Sequence, residues 1–155
     1  MGRRPGHPYK RRRTKGWSEL LPEVLQGAEI HGLTRWEQRT ILNVEESALL
    51  GPEVFPSDDL SQTRLRFLLH FLIYLSTTFP DGRDGEVWLR TENLEHPFNG
   101  RCPIDFLCDG EVGSMAAAMV YMAINTGNLA EIEEMLGPDR RVAWPSREQF
   151  GSDHS

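Results

Sequence analysis

Residues 57–82, SDDLSQTRLRFLLHFLIYLSTTFPDG, decide the fold. Ser57, Asp58 and Asp59 offer side-chain acceptors and negative charge to the free N–H groups of a helix start, and Pro80-Asp81-Gly82 closes the segment. One helix over Leu60–Phe79 is predicted. Leu65, Leu68, Leu69, Leu72 and Leu75 recur at helical spacing on one side, and Phe67, Phe71 and Tyr74 on another. A helix apolar on two sides is either central or shared with a partner. The pattern therefore predicts a surplus face in a symmetric dimer or against a partner, with Phe67 and Phe71 at that contact.

Upstream, Ser18 is placed to cap a helix that tolerates Pro22 in its first turn and stops near Gly32. Thr34-Arg35-Trp36-Glu37 has the S/T-x-x-E form of a capping box, opening a helix through Ile41 and Leu42, and Glu45–Leu50 is a short third helix ending on Gly51-Pro52. These three form the outline of a degenerate helix-turn-helix. Its candidate recognition helix carries Glu45, Glu46 and Ser47, where base reading calls for Arg, Lys, Asn or Gln.

Downstream, Val87-Trp88-Leu89 sits on a short helix, a loop runs from Asn93 to Cys102, and Pro103–Cys108 is a helical turn. Ser114 is expected to cap Met115–Asn125, and Asn128 with Glu131 to cap Leu129–Leu136 before Gly137-Pro138. Met115, Met119, Met122 and Met135 fall at roughly helical spacing among alanines and read as core. No stretch alternates convincingly enough to make a strand. The fold class is all-α: a small helical bundle with a disordered basic arm at 1–16, the helix-turn-helix-like region at 17–55, a helical binding domain at 56–137 and a C-terminal extension at 138–155.

The 155 residues form one ordinary domain plus arms, and the net charge of −6 conceals an asymmetry. Residues 1–15 hold seven of the seventeen basic side chains (Arg3, Arg4, Lys10, Arg11, Arg12, Arg13, Lys15) and no acid, so ten bases face all 23 acids in the remainder. The arm can neutralise phosphates, which makes those seven residues the nucleic-acid-binding candidates. The longest apolar run is too short to span a bilayer, no apolar stretch follows the N-terminal charge to make a secretory signal, and two cysteines are too few for a disulfide scaffold, so a cytoplasmic protein is expected. His96, Cys102, Asp105, Cys108 and Asp109 crowd together, but the six-residue Cys spacing and single His do not suit a structural zinc site. A Cys–His catalytic pair would need proximity in space. No phosphate loop, nucleophile elbow or H-E-x-x-H motif occurs. Neither an enzyme, a cofactor nor a metal is expected.

Residues 71–112, FLIYLSTTFPDGRDGEVWLRTENLEHPFNGRCPIDFLCDGEV, carry a more specific pattern. A long apolar helix ends in Phe79-Pro80 and is followed by Trp88-Leu89-Arg90, then by Asn93 in a loop leading to Phe98-Asn99-Gly100-Arg101, and then by Pro103-Ile104-Asp105. This order and spacing resembles the toxin-binding domain of the MbcA/ParS/Xre antitoxin family, with Glu92 and Asn99 standing where that family usually has Pro and Gly. Asn99 and Gly100 can adopt positive φ, which would turn the chain so that Arg101 and Asp105 pair or cap across it.

The resemblance implies an antitoxin of a type II toxin-antitoxin pair that occludes the active site of a RES-domain, NAD-degrading toxin, with repression of its own operon as a further role in many members. It implies Trp88, Arg90, Asn93, Phe98, Asn99, Gly100, Arg101 and Asp105 as toxin-binding residues. The partners expected are the cognate toxin and operator DNA, with a homodimer or hetero-oligomer as the assembly. Since an NAD pocket holds phosphates and a planar ring, Arg140, Arg141 and Trp144 of the extension, with Trp144 made semi-rigid by Pro145, are expected to contribute a plug. The alternative function is a nucleic-acid-binding transcriptional regulator acting through the basic arm.

Overall fold

The computed structural model describes residues 17–50 and 58–136. Their eight helices are α1 (Trp17–Ile30), α2 (Arg35–Leu42), α3 (Glu46–Leu50), α4 (Asp59–Thr78), α5 (Gly82–Leu89), α6 (Pro103–Leu107), α7 (Val112–Thr126) and α8 (Leu129–Leu136). No strand occurs among the described residues, so the class is all-α as expected. No helix among them is long and apolar enough to cross a membrane.

α4 starts where its cap chemistry dictates. Asp58 Oδ1 accepts the Ser61 N–H at 2.7 Å and Oδ2 accepts the Ser61 hydroxyl at 2.9 Å, and these bonds hold the Asp58 carboxyl below its ordinary range. The helix resolves the question posed by its two stripes, because it is central. It packs most extensively on α7 and α1. Leu72 meets Gly27 of α1, while on another side the Phe71 ring lies 6.5 Å from Trp88 of α5 and the Tyr74 hydroxyl reaches Glu131 of α8. Phe67 and Phe71 are 3% and 1% exposed within the single chain. The expectation that these two residues sit at a dimer contact is therefore corrected: their own chain covers them.

One buried apolar cluster takes side chains from all eight helices and bridges the boundary drawn at residues 55–56. Met115, Met119 and Met122 belong to it, as expected; the Met135 side chain lies outside the described residues. Arg64 of α4 is a buried cation within this frame. Its Nη2 donates to the Gly110 carbonyl at 2.8 Å and its Nη1 to the Ile41 carbonyl at 3.4 Å, near the negative end of α2.

Two expected helix starts shift, and a third keeps its place with different capping bonds. α1 already begins at Trp17, so Ser18 lies inside its first turn and Pro22 is the sixth residue, exposed, where water can serve the carbonyl its missing N–H leaves free. α7 begins at Val112, two residues before Ser114. The organiser is Asp109, whose Oδ1 accepts the Glu111 N–H at 2.8 Å and whose Oδ2 accepts the Ser114 hydroxyl at 2.6 Å. Asn128 precedes α8 as expected, but its amide donates back to Thr126, and the Glu131 carboxylate accepts the Tyr74 hydroxyl at 2.5 Å. By contrast, the Thr34–Glu37 capping box is complete, with Glu37 N–H donating to Thr34 Oγ1 at 3.1 Å and Thr34 N–H to Glu37 Oε1 at 2.8 Å.

α5 lies against the α1–α2 turn at backbone distance because its facing residues lack side chains. A β-carbon on Gly82 would overlap the Ile30 carbonyl oxygen, and one on Gly85 would overlap His31 Nδ1. His31 is fully buried there, its Nε2 sharing a 2.8 Å hydrogen bond with the Ser76 hydroxyl, and burial lowers its pKa.

Candidate partner-binding surface

The stretch after α5 rests on a nest of rings. Trp88 stacks on Tyr121 of α7, with centroids 6.3 Å apart and planes 12° apart. Phe98 meets Trp88, Tyr121 and Phe106 edge-on at 5.8, 5.1 and 5.2 Å, the arrangement that sets positive ring edges against negative faces. Phe98 is 1% exposed. It supports the surface from below and has no area to offer a partner, which corrects its expected place among the contact residues. Trp88 is half-buried in the same nest.

Above the rings, backbone bonds close the loop between Asn93 and Arg101. The Asn93 N–H donates to the Arg101 carbonyl at 3.1 Å, and the Gly100 N–H donates to the Asn93 carbonyl at 2.7 Å. Asn93 Oδ1 accepts the Glu95 N–H at 2.9 Å, and Glu95 Oε1 accepts the Tyr121 hydroxyl at 2.5 Å, tying the loop to α7. The turn between these bonds has Asn99 at φ 53° and Gly100 at φ 99°, the left-handed pair anticipated from sequence.

Arg101 lies across the end of the loop. Its Nη2 donates to the Asp105 backbone carbonyl at 3.1 Å, its guanidinium carbon is 5.6 Å from the Phe106 ring centroid, and Nη1 is 3.9 Å from the Asp109 carboxylate. The anticipated Arg101–Asp105 link thus exists through the main chain, while the Asp105 side chain is exposed.

Arg90 points elsewhere. Its Nη1 and Nη2 donate to the two Glu37 carboxylate oxygens at 2.8 Å each, and Nη2 also donates to the Gly32 carbonyl at 2.9 Å. The fork holds the Glu37 carboxyl below its ordinary range and pushes the Arg90 pKa up. Glu37 therefore serves the α2 capping box and the α5 clamp together. Arg90, expected at the binding surface, is committed to joining α5 to α2. The pair's contribution is on the order of 1 kcal/mol, since water reaches the arginine.

On the helix-turn-helix-like face, Glu45, Glu46 and Ser47 are exposed, and the Glu46 carboxylate lies 3.9 Å from Arg35 and 3.7 Å from Arg39. The cysteines are free, and burial pushes the Cys108 thiol up to about 11, which keeps it protonated at neutral pH. No group of three or more His, Cys, Asp or Glu side chains is placed to hold a metal ion among the described residues.

Of the expected contact residues, Asn93, Asn99, Gly100, Arg101 and Asp105 share one loop and its exit, above Trp88 and Phe98. Arg140, Arg141 and Trp144 lie outside the described residues, as do Arg3, Arg4, Lys10, Arg11, Arg12, Arg13 and Lys15. Sequence reasoning missed Leu94, Glu95 and Tyr121. Tyr121, the one ring in the Met-Ala helix, was the available signal. Compared with known proteins, the chain matches no family model, and no curated protein matches it.

Proposed function

We propose that this protein is an antitoxin-like binding protein that silences a RES-domain, NAD-degrading enzyme by covering its active site. The observation that carries the reading is the loop Asn93–Arg101, closed by its own backbone bonds, turned by Asn99 and Gly100, and floored by the Trp88–Phe98–Tyr121 rings. Such a loop is already ordered before it binds, so little conformational entropy is lost on association. It lies within the stretch 71–112 that resembles the toxin-binding domain of the MbcA/ParS/Xre family. Steric cover needs no catalytic group on this chain.

Silencing an enzyme present at micromolar concentration calls for about nanomolar affinity, roughly −12 kcal/mol, and an interface of standard size. That area exceeds one loop, which leaves room for a contribution from Arg140, Arg141 and Trp144. Co-expression with a candidate RES-domain enzyme from the same genome tests the reading. Cells making both proteins should retain NAD, and loss of NAD as fast as with the enzyme alone rejects it.

A further inference from the structure

At Asn93-Leu94-Glu95 the polar residues, half-buried Asn93 and exposed Glu95, are bonded within their own chain, while the leucine between them is left uncovered. The polar residues have side-chain oxygens engaged internally, Asn93 with the Glu95 N–H and Glu95 with the Tyr121 hydroxyl. The apolar residue between them is 83% exposed, the most exposed of the large hydrophobics among the described residues. Single exposed leucines are common and require no explanation. This one differs because backbone and side-chain bonds fix both its neighbours, so the leucine is presented at a set position.

We infer that Leu94 is the apolar anchor of the interface, inserting into a cavity of the partner enzyme. The inference rests on the functional reading above and names the residue that reading lacked. The surroundings indicate the partner's chemistry. From Thr91 to Glu111 the chain carries Glu92, Glu95, Asp105, Asp109 and Glu111 against Arg101. An exposed apolar residue flanked in the chain by the exposed Glu92 and Glu95, within a stretch of net negative charge, complements a cavity that has an apolar floor and a cationic rim. An enzyme that binds a dinucleotide needs such a cavity, with flat apolar area for the rings and positive groups for the phosphates. A central apolar anchor within a polar rim is also where binding energy concentrates in protein interfaces.

The test measures the dissociation constant of the full-length chain for the RES-domain enzyme by calorimetry, with Leu94→Ser, Leu94→Asp and, as control, Ile73→Ser. Ile73 is an exposed apolar residue on α4, on the side shared with Glu23 and Gly27 of α1. Because Leu94 is largely exposed, melting temperatures should match the unaltered chain and verify folding. Leu94→Ser should weaken binding about 10- to 100-fold and Leu94→Asp at least as much, with Ile73→Ser unchanged. Unchanged affinity in Leu94→Ser overturns the anchor and leaves the functional reading standing. So does a loss of mass by light scattering in Leu94→Ser at unchanged enzyme affinity, which would make Leu94 a contact between copies of this chain. No binding by the unaltered chain overturns the functional reading and the anchor with it.

Discussion

The two ends of α5 are fixed by opposite means. Its first turn reaches the α1–α2 turn because Gly82 and Gly85 have no side chains, so Ile30 and His31 come to within contact of the helix backbone. Its last turn and the loop beyond it are held by bulk, with Trp88 stacked on Tyr121 and Phe98 wedged edge-on between them and Phe106. Removing side chains brings two backbones together but provides little buried area. Adding rings provides area and direction, and it sets a floor on which a loop can be held open to solvent. The first device joins parts of the fold, and the second shapes a surface.

The sharpest way to break this contrast is to delete the floor. Trp88→Ala removes a ring in contact with Phe71, Phe79, Phe98 and Tyr121, and truncating a large aromatic in such a setting costs about 3–5 kcal/mol. Denaturant unfolding should show this loss, and hydrogen exchange should show the Asn93 and Gly100 amides opening before those of α4. Amides in the loop that stay as protected as in the unaltered chain would mean the backbone bonds hold it without the rings.

At the other end the prediction has the opposite form, since adding one methyl group should do the damage. Gly→Ala inside a helix ordinarily gains up to about 1 kcal/mol. At Gly85 the new β-carbon would overlap the His31 ring, which is buried and bonded to Ser76 and cannot swing away cheaply. Overpacking of this kind costs about 1–3 kcal/mol, so Gly85→Ala should lower the melting temperature. A melting temperature equal to or above that of the unaltered chain would show that α5 can slide on its seat.

This asymmetry also explains what could be read from the sequence. The Thr34–Glu37 box, the Asp58 cap, the methionine core and the positive φ of Asn99-Gly100 all depend on residues within a few positions of each other, so local chemistry suffices to predict them. Gly82 and Gly85 look like turn punctuation until the fold brings His31 against them. Nothing in Trp88-Leu89-Arg90 says that Arg90 turns toward Glu37, 53 residues away. Ser114 and Glu131 were sound capping residues, but Asp109 and Tyr74 took their hydrogen bonds. In the candidate surface, the loop's members were legible and its support was not, because Tyr121 joins it from 26 residues beyond Glu95. The exposure of Leu94 depends on where its neighbours' oxygens find partners, which no spacing rule encodes.

The smallest expected effect belongs to the glycine-built end and appears only as acidity rises. Burial lowers the His31 pKa, and it lowers that of His70 on α4 in the same way, so the folded chain binds these protons less readily than the unfolded chain does. Stability from this source is therefore fully present above the unfolded value near 6.5 and declines as pH falls below it toward the folded value. Linkage bounds the loss at about 0.7 kcal/mol per histidine between pH 7 and pH 6. Glu37 and Asp58, whose carboxyls are held low, lose their contributions only below their ordinary carboxylate values, so the interval from pH 7 to pH 5 reports mainly on histidines. His31→Gln can keep an amide near the Ser76 hydroxyl but cannot take up a proton. It should be less stable than the unaltered chain at pH 7 and should show a shallower decline toward pH 5, with His70→Gln separating the second contribution. An unaltered decline in His31→Gln would mean that the α1–α5 seat opens enough to protonate His31 while the rest of the fold stays intact.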